Sequence, residues 1–214
     1  MPVPEPPLYR HAPTARIADS ARVGVPGRQL WEGVWDKYGR PTEIGAHCEI
    51  RDFCVIGDEA VIGANSILNC YSWVDVGAEV GSGTLLIHRA SIGARALIGN
   101  DCVIGGKICE RAVVGNRCRV FGDVIHRQLD PTMPWDAPKS QEDAPTLEDD
   151  VFVGWGATII GGITVGAGSY VCAGAVVTRD VKPRVIISRV NDVCQPEAWP
   201  GPLARSAFFN REQG

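Results

Sequence analysis

The sequence predicts an all-β solenoid, a parallel β-helix built from six-residue repeats. Two observations predict it. Every sixth residue from Ile44 is a branched aliphatic: Ile44, Ile50, Ile56, Ile62, Leu68, Val74, Val80, Leu86, Ile92 and Ile98. At a background of roughly one in four, ten in a row has a chance on the order of one in a million. A second block runs through Leu147, Val153, Ile159, Val165, Val171 and Val177. The second observation is a small residue four places after each aliphatic, as at Cys48, Cys54, Ala60, Ser66, Ser72, Ala78, Thr84, Ala90, Ala96 and Cys102.

A period of six does not suit an α-helix, whose 3.6 residues per turn would scatter these positions around the axis. It suits short strands joined by tight corners, with one aliphatic side chain per face pointing inward. Glycine often follows the aliphatic residue, as at Gly45, Gly57, Gly63, Gly93 and Gly99, and is read as easing the backbone at the turn. One repeat cannot bury its aliphatic residue alone, so stability must come from stacked coils. About twenty hexads over 44–183 imply six or seven coils, with an N-terminal segment at 1–16, a β-helix domain at 17–183 and a C-terminal extension at 184–214.

Composition narrows the class. The 214 residues are 45% apolar with a formal charge of −4, which argues against disorder and gives no electrostatic case for nucleic acid or an anionic membrane. The N-terminus lacks a cationic start with an apolar stretch, and no run approaches ~20 apolar residues, so a cytoplasmic location is expected. None of the eight cysteines forms a C-x-x-C pair. Cys48, Cys54, Cys102 and Cys118 occupy the small interior position and are read as compact apolar residues.

Function is sought where the repeat breaks. An aromatic segment with Trp31, Trp35 and Tyr38 interrupts it at about 25–43. The register shortens by two residues between Ile104 and Ile108. The longest break is at about 127–146, directly after Ile125-His126, and carries Arg127, Asp130 and Trp135. Excursions of this length are commonly functional. Of the four histidines, His11 lies in the Pro-rich N-terminal segment and His47 and His88 read as surface residues, whereas His126 stands where the chain leaves the repeat. Counted strictly by sixes from Val120, however, His126 falls on an inward position.

The hexads resemble those of the hexapeptide-repeat acyltransferase superfamily, whose fold is a left-handed parallel β-helix. The run Ile125-His126-Arg127, the excursion, and the restart at Leu147-Glu-Asp-Asp-Val-Phe-Val-Gly-Trp-Gly-Ala resemble the branch that holds xenobiotic and sugar O- and N-acetyltransferases. Cys172-Ala-Gly-Ala-Val-Val-Thr-Arg-Asp-Val-Lys-Pro183 resembles its closing phrase, although the usual Gly-Asn-Pro-Ala that follows is absent. The resemblance implies an acetyl-CoA or other acyl-CoA cosubstrate, no metal, a homotrimer with the site between subunits, and a small-molecule hydroxyl or amine acceptor. It implies His126 as general base. Trp155, Gly156, Ala173, Gly174, Thr178, Arg179, Lys182 and Arg184 are the implied contacts to coenzyme A, and Arg127, Asp130 and Trp135 those to the acceptor. Two other readings of the fold are a non-catalytic scaffold and a γ-carbonic anhydrase-like metalloenzyme. The second needs three convergent histidines, and His47, His88 and His126 do not match its motif.

Overall fold

The structure, a computed structural model, describes residues 9–25, 40–127, 144–190 and 193–198. It is a left-handed parallel β-helix of triangular section. Among the described residues the strands run β1 to β26 in chain order, and each third strand stacks on the same face. The first face runs from β1 (Tyr9–His11) to β22 (Thr164–Val165). The second runs from β2 (Arg16–Ile17) to β23 (Tyr170–Val171) and β25 (Ile186–Ile187). The third runs from β3 (Arg22–Val25) through β18 (Asp123–Ile125) and β21 (Thr158–Ile160) to β24 (Val176–Val177). All pairings are parallel except the last, where β26 (Val193–Cys194) closes antiparallel on β25.

These strands make eight coils and part of a ninth. The ladder begins earlier than the boundary at 17, because Tyr9–His11 pairs with Thr42–Ile44. It also passes 183, since Ile186–Ile187 pairs with Tyr170–Val171. Between these ends the repeat behaves as its pattern demands. The ten aliphatics from Ile44 to Ile98 are 0–4% exposed, each contributing roughly 1.5–3 kcal/mol through burial. Among the described residues, no helix is long and apolar enough to cross a membrane.

The corners correct two expectations. The left-handed backbone conformation falls three residues after the inward aliphatic, and mostly on non-glycine residues such as His47, Phe53, Asn65, Tyr71, Arg95 and Asp101. The glycine one place after the aliphatic has a different task. A Cβ on Gly99 would lie 2.6 Å from the Gly115 backbone of the next coil, so glycine is needed there for close stacking rather than for φ.

The interior cysteines are also more than compact apolar residues. Cys48 Sγ donates to the Gly63 carbonyl at 3.0 Å, Cys102 Sγ to Gly115 at 3.1 Å and Cys118 Sγ to Glu148 at 3.1 Å. Ser66 and Thr84, in the same column, donate to Gly81 and Gly99 in the same way. Each thiol or hydroxyl satisfies an inward corner carbonyl that would otherwise go unpaired. Burial pushes the Cys48 and Cys54 thiols up, which keeps them protonated as donors.

Gly99→Ala therefore has no cheap relaxation. It is expected to lose 2 kcal/mol or more, at the upper end of ordinary overpacking costs of ~1–3 kcal/mol, measured by denaturant unfolding against the parent protein.

Candidate functional site

Two successive corners between the second and third faces are two residues shorter than the others on that edge. Ile104 is followed by Gly105, Gly106 and Lys107 before the next inward residue, Ile108. One coil on, Val120 is followed by Phe121, Gly122 and Asp123 before Val124. The two compressed corners stack, and a Cβ on Gly106 would run into the Gly122 carbonyl. The next coil returns to six residues, Val153 to Ile159.

The second compression sets the position of His126. Val124 is the inward residue of β18, at 0% exposure, and pairs with Ile159. Counting by sixes from Val120 would have buried His126 instead. With the corner shortened, His126 lies past the inward residue, half-buried, at the edge between the third and first faces. Its Nε2 is 2.8 Å from the Glu110 carbonyl of the preceding coil. A carbonyl only accepts, so Nε2 carries the hydrogen, and in the neutral ring the lone pair resides on Nδ1.

Arg127 turns the other way. Its Nη2 donates to the Thr178 carbonyl at 2.9 Å, and its side chain lies over Gly161, where an added Cβ would sit 3.2 Å from Arg127 Cβ. Asp130 and Trp135 lie outside the described residues. The chain is tied down again at its return. Asp149 accepts the Asn116 backbone N–H at 2.8 Å and pairs with Arg117 at 3.2 Å, and Arg117 also forms a two-point contact with Asp150. The Asn116 N–H, helped by the Asn116 side chain and Arg117, holds the Asp149 carboxyl below its usual range.

The residues expected to contact coenzyme A do not form one group. Trp155, Gly156, Ala173 and Gly174 share the edge between the second and third faces, all exposed. Trp155 is 60% exposed and stacks on Phe121, with ring centroids 5.1 Å apart. Phe121 meets Phe152 edge-on, and Phe152 stacks on Tyr170 at 4.3 Å. Nothing lies within 4 Å of a Cβ placed on Gly156 or Gly174, so the corner beside the indole is open. The Gly174 N–H donates to the Trp155 carbonyl at 3.0 Å, which removes it as an oxyanion donor. Thr178 and Arg179 lie on the edge of His126, after β24. Lys182 and Arg184 lie on the third edge, ahead of β25, where Arg184 packs against Gly168.

His126 and Trp155 thus flank one face from opposite edges. The four residues Ala157 to Ile160 between the edges span about 13 Å at ~3.3 Å each. The outward aromatic column was missed in the sequence. Its signal was the bulky run Phe121, Phe152, Trp155 and Tyr170 at outward positions. His47 and His88 sit on edges other than that of His126, and among the described residues no group of three or more His, Cys, Asp or Glu side chains is placed to hold a metal ion.

Comparison with known proteins agrees with the repeat. The family described as "Hexapeptide repeat of succinyl-transferase" matches residues 89–116 and 146–179. A protein of Schizosaccharomyces pombe, provisionally described as an acetyltransferase, is 42% identical over 40 residues, 19% of each chain. Among solved structures, the acetyltransferase domain of PglB from Neisseria gonorrhoeae has a TM-score of 0.44 at 13% identity, covering 64% of this chain and 57% of that one. Serine acetyltransferase of the same organism scores 0.36 at 23% identity, covering 62% and 46%. UDP-N-acetylglucosamine O-acyltransferase from Moraxella catarrhalis scores 0.48 at 18% identity, covering 87% and 71%. The chain therefore spans about a fifth of its curated relative and about half of the first two structures. By repeat and fold it is a hexapeptide-repeat β-helix protein. The two matched stretches, 89–116 and 146–179, are repeat segments of that family's model.

The Asp149 contact carries a pH signature. A carboxyl whose pKa is lowered by folding adds stability above its ordinary value near ~4 and loses it as pH falls through the lower folded value. Asp149→Ala is expected to lose about 1 kcal/mol or less at pH 7, since the side chain is 42% exposed and screened. Between pH 5 and pH 3 the variant should lose less stability than the parent, as read from thermal unfolding across that range.

Proposed function

We propose that the protein is a coenzyme A-dependent acyltransferase, most readily an acetyltransferase, acting on a hydroxyl or amine of a small molecule. The observation that carries this reading is His126. It stands half-buried on an edge just past β18, with Nε2–H committed to the Glu110 carbonyl. Nδ1 is then the basic atom.

In this reading Nδ1 takes the proton from the acceptor as its oxygen or nitrogen attacks the thioester carbonyl. The tetrahedral intermediate collapses with loss of the coenzyme A thiolate, and the imidazolium returns the proton to sulfur. An imidazole suits both steps because the neutral ring accepts a proton and the cation gives it back.

The separation of the two edges supports a site between subunits of a homotrimer. About 13 Å of face divides His126 from the open corner at Trp155, Gly156, Ala173 and Gly174 on one chain. A cleft between neighbouring prisms joins the His126 edge of one copy to the Trp155 edge of the next. The exposed indole and the open glycine corner then receive the acyl-CoA, while Thr178 and Arg179 lie on the acceptor side with His126. Lys182 and Arg184, on the remaining edge, take no part. The phrases around His126 and Cys172–Pro183 resemble those of the xenobiotic and sugar acetyltransferases, and the cytoplasm is where acyl-CoA is available.

His126→Ala should lower kcat for acetyl-CoA-dependent acylation by about 10²–10⁴-fold, measured as coenzyme A release with a panel of small amines and alcohols. Thermal stabilisation by coenzyme A should persist in the variant. Unchanged turnover in His126→Ala would overturn the assignment of the base. Failure of the parent protein to bind any coenzyme A ester would favour a scaffold.

A further inference from the structure

Two consecutive side chains at the chain exit are anchored in opposite directions along the prism. His126 reaches back one coil to the Glu110 carbonyl at 2.8 Å. Arg127 reaches forward over the next coil and bonds to the Thr178 carbonyl, two coils on, at 2.9 Å. The coil it crosses is cut away beneath it. Gly161 has φ +87°, and a Cβ there would lie 3.2 Å from Arg127 Cβ and 3.3 Å from Nε. Both the conformation and the space at that position require glycine. The Gly161 N–H also donates to the Ile125 carbonyl at 2.9 Å, so the strand leading to His126 is held from the same residue. Exit, anchor and recess fit one another.

We propose that Arg127 is a positioning residue rather than a substrate contact: clamped over Gly161 to the Thr178 carbonyl, it fixes the backbone at 126–127 so that His126 keeps Nε2–H on Glu110 and presents Nδ1. This rests on the reading of His126 as the base. A single bond from one residue to a backbone on the far side of a strand removes the swing of the exit segment. Without it, the imidazole can rotate and exchange tautomers. Small losses of orientation at a catalytic group are costly in rate.

The test uses the full-length protein with ¹⁵N-labelled histidine, the His126 signal being assigned by its loss in His126→Ala. With the ring neutral, the parent should show a protonated Nε2 and an unprotonated Nδ1. Arg127→Met, which keeps the stem and loses the donors, should shift both ring nitrogens toward a tautomer average. It should lower kcat about tenfold with the acceptor KM changed less than about twofold, and move Tm by no more than about 2 °C. Arg127→Lys, which keeps one donor, should recover part of both effects. Gly161→Ala should reproduce the nitrogen shifts by displacing the arginine. If the ring nitrogens in Arg127→Met and Gly161→Ala match the parent, the positioning role is wrong. A rise in KM alone with unshifted nitrogens would return Arg127 to substrate binding. Shifted nitrogens with a fully active His126→Ala would keep the clamp and remove the base, which separates this inference from the functional reading it rests on.

Discussion

Parallel backbone hydrogen bonds between coils constrain everything else in this molecule. Each strand inside the stack, two to four residues long, is bonded to the strand one coil before and one coil after, as Val80 is between Ile62 and Ile98. The strands are too short to stand alone, and a one-residue slip would turn every aliphatic side chain from core to solvent. Most corners therefore keep the same length from coil to coil, and those that change do so without shifting the inward residues out of register. Regularity follows from this, and so do the small interior position, the glycine against the next coil, and the thiol and hydroxyl donors that satisfy the corner carbonyls.

The candidate site is a local departure that the same constraint allows. Two stacked corners, at Gly105–Gly106 and Phe121–Gly122, each drop two residues and so remain in register with each other. The second of them carries Phe121, the support for Trp155. It also advances the chain, so that Val124 fills the core and His126 reaches the edge. From there the chain can leave the prism without breaking a ladder, because β18 still pairs with β21 and the return at Thr146–Leu147 resumes the first face on Val113–Val114.

Most of the prism was legible in the sequence because one inward aliphatic per face leaves a periodic record. The first coil was harder to see. The residues in line with its inward aliphatics are His11, Ile17 and Val23, paired with Ile44, Ile50 and Ile56, and an exposed polar residue at the first of them hides the start. The compression at Ile104–Ile108 was visible, whereas its twin at Val120–Val124 was not, since His126 lies six residues after Val120 and conceals the slip. The matching glycines at 106 and 122 were the available sign. The role of glycine beside the aliphatics was misread because a single strand does not reveal how closely the next coil approaches. Proximity among the expected coenzyme A contacts could not be read from motif order either, because residues a few places apart turn a corner onto another edge, as Arg179 and Arg184 do.

Aspartate substitutions at Val124 and His126 test the register at these two positions directly. A buried, unpaired carboxylate is strongly destabilising, whereas one at an edge is tolerated. Val124→Asp should fail to fold or unfold far below the parent, while His126→Asp should stay folded with a Tm within a few degrees, about the shift of 1 kcal/mol. The reverse pattern, a stable Val124→Asp and an unfolded His126→Asp, would place His126 in the core and contradict the account.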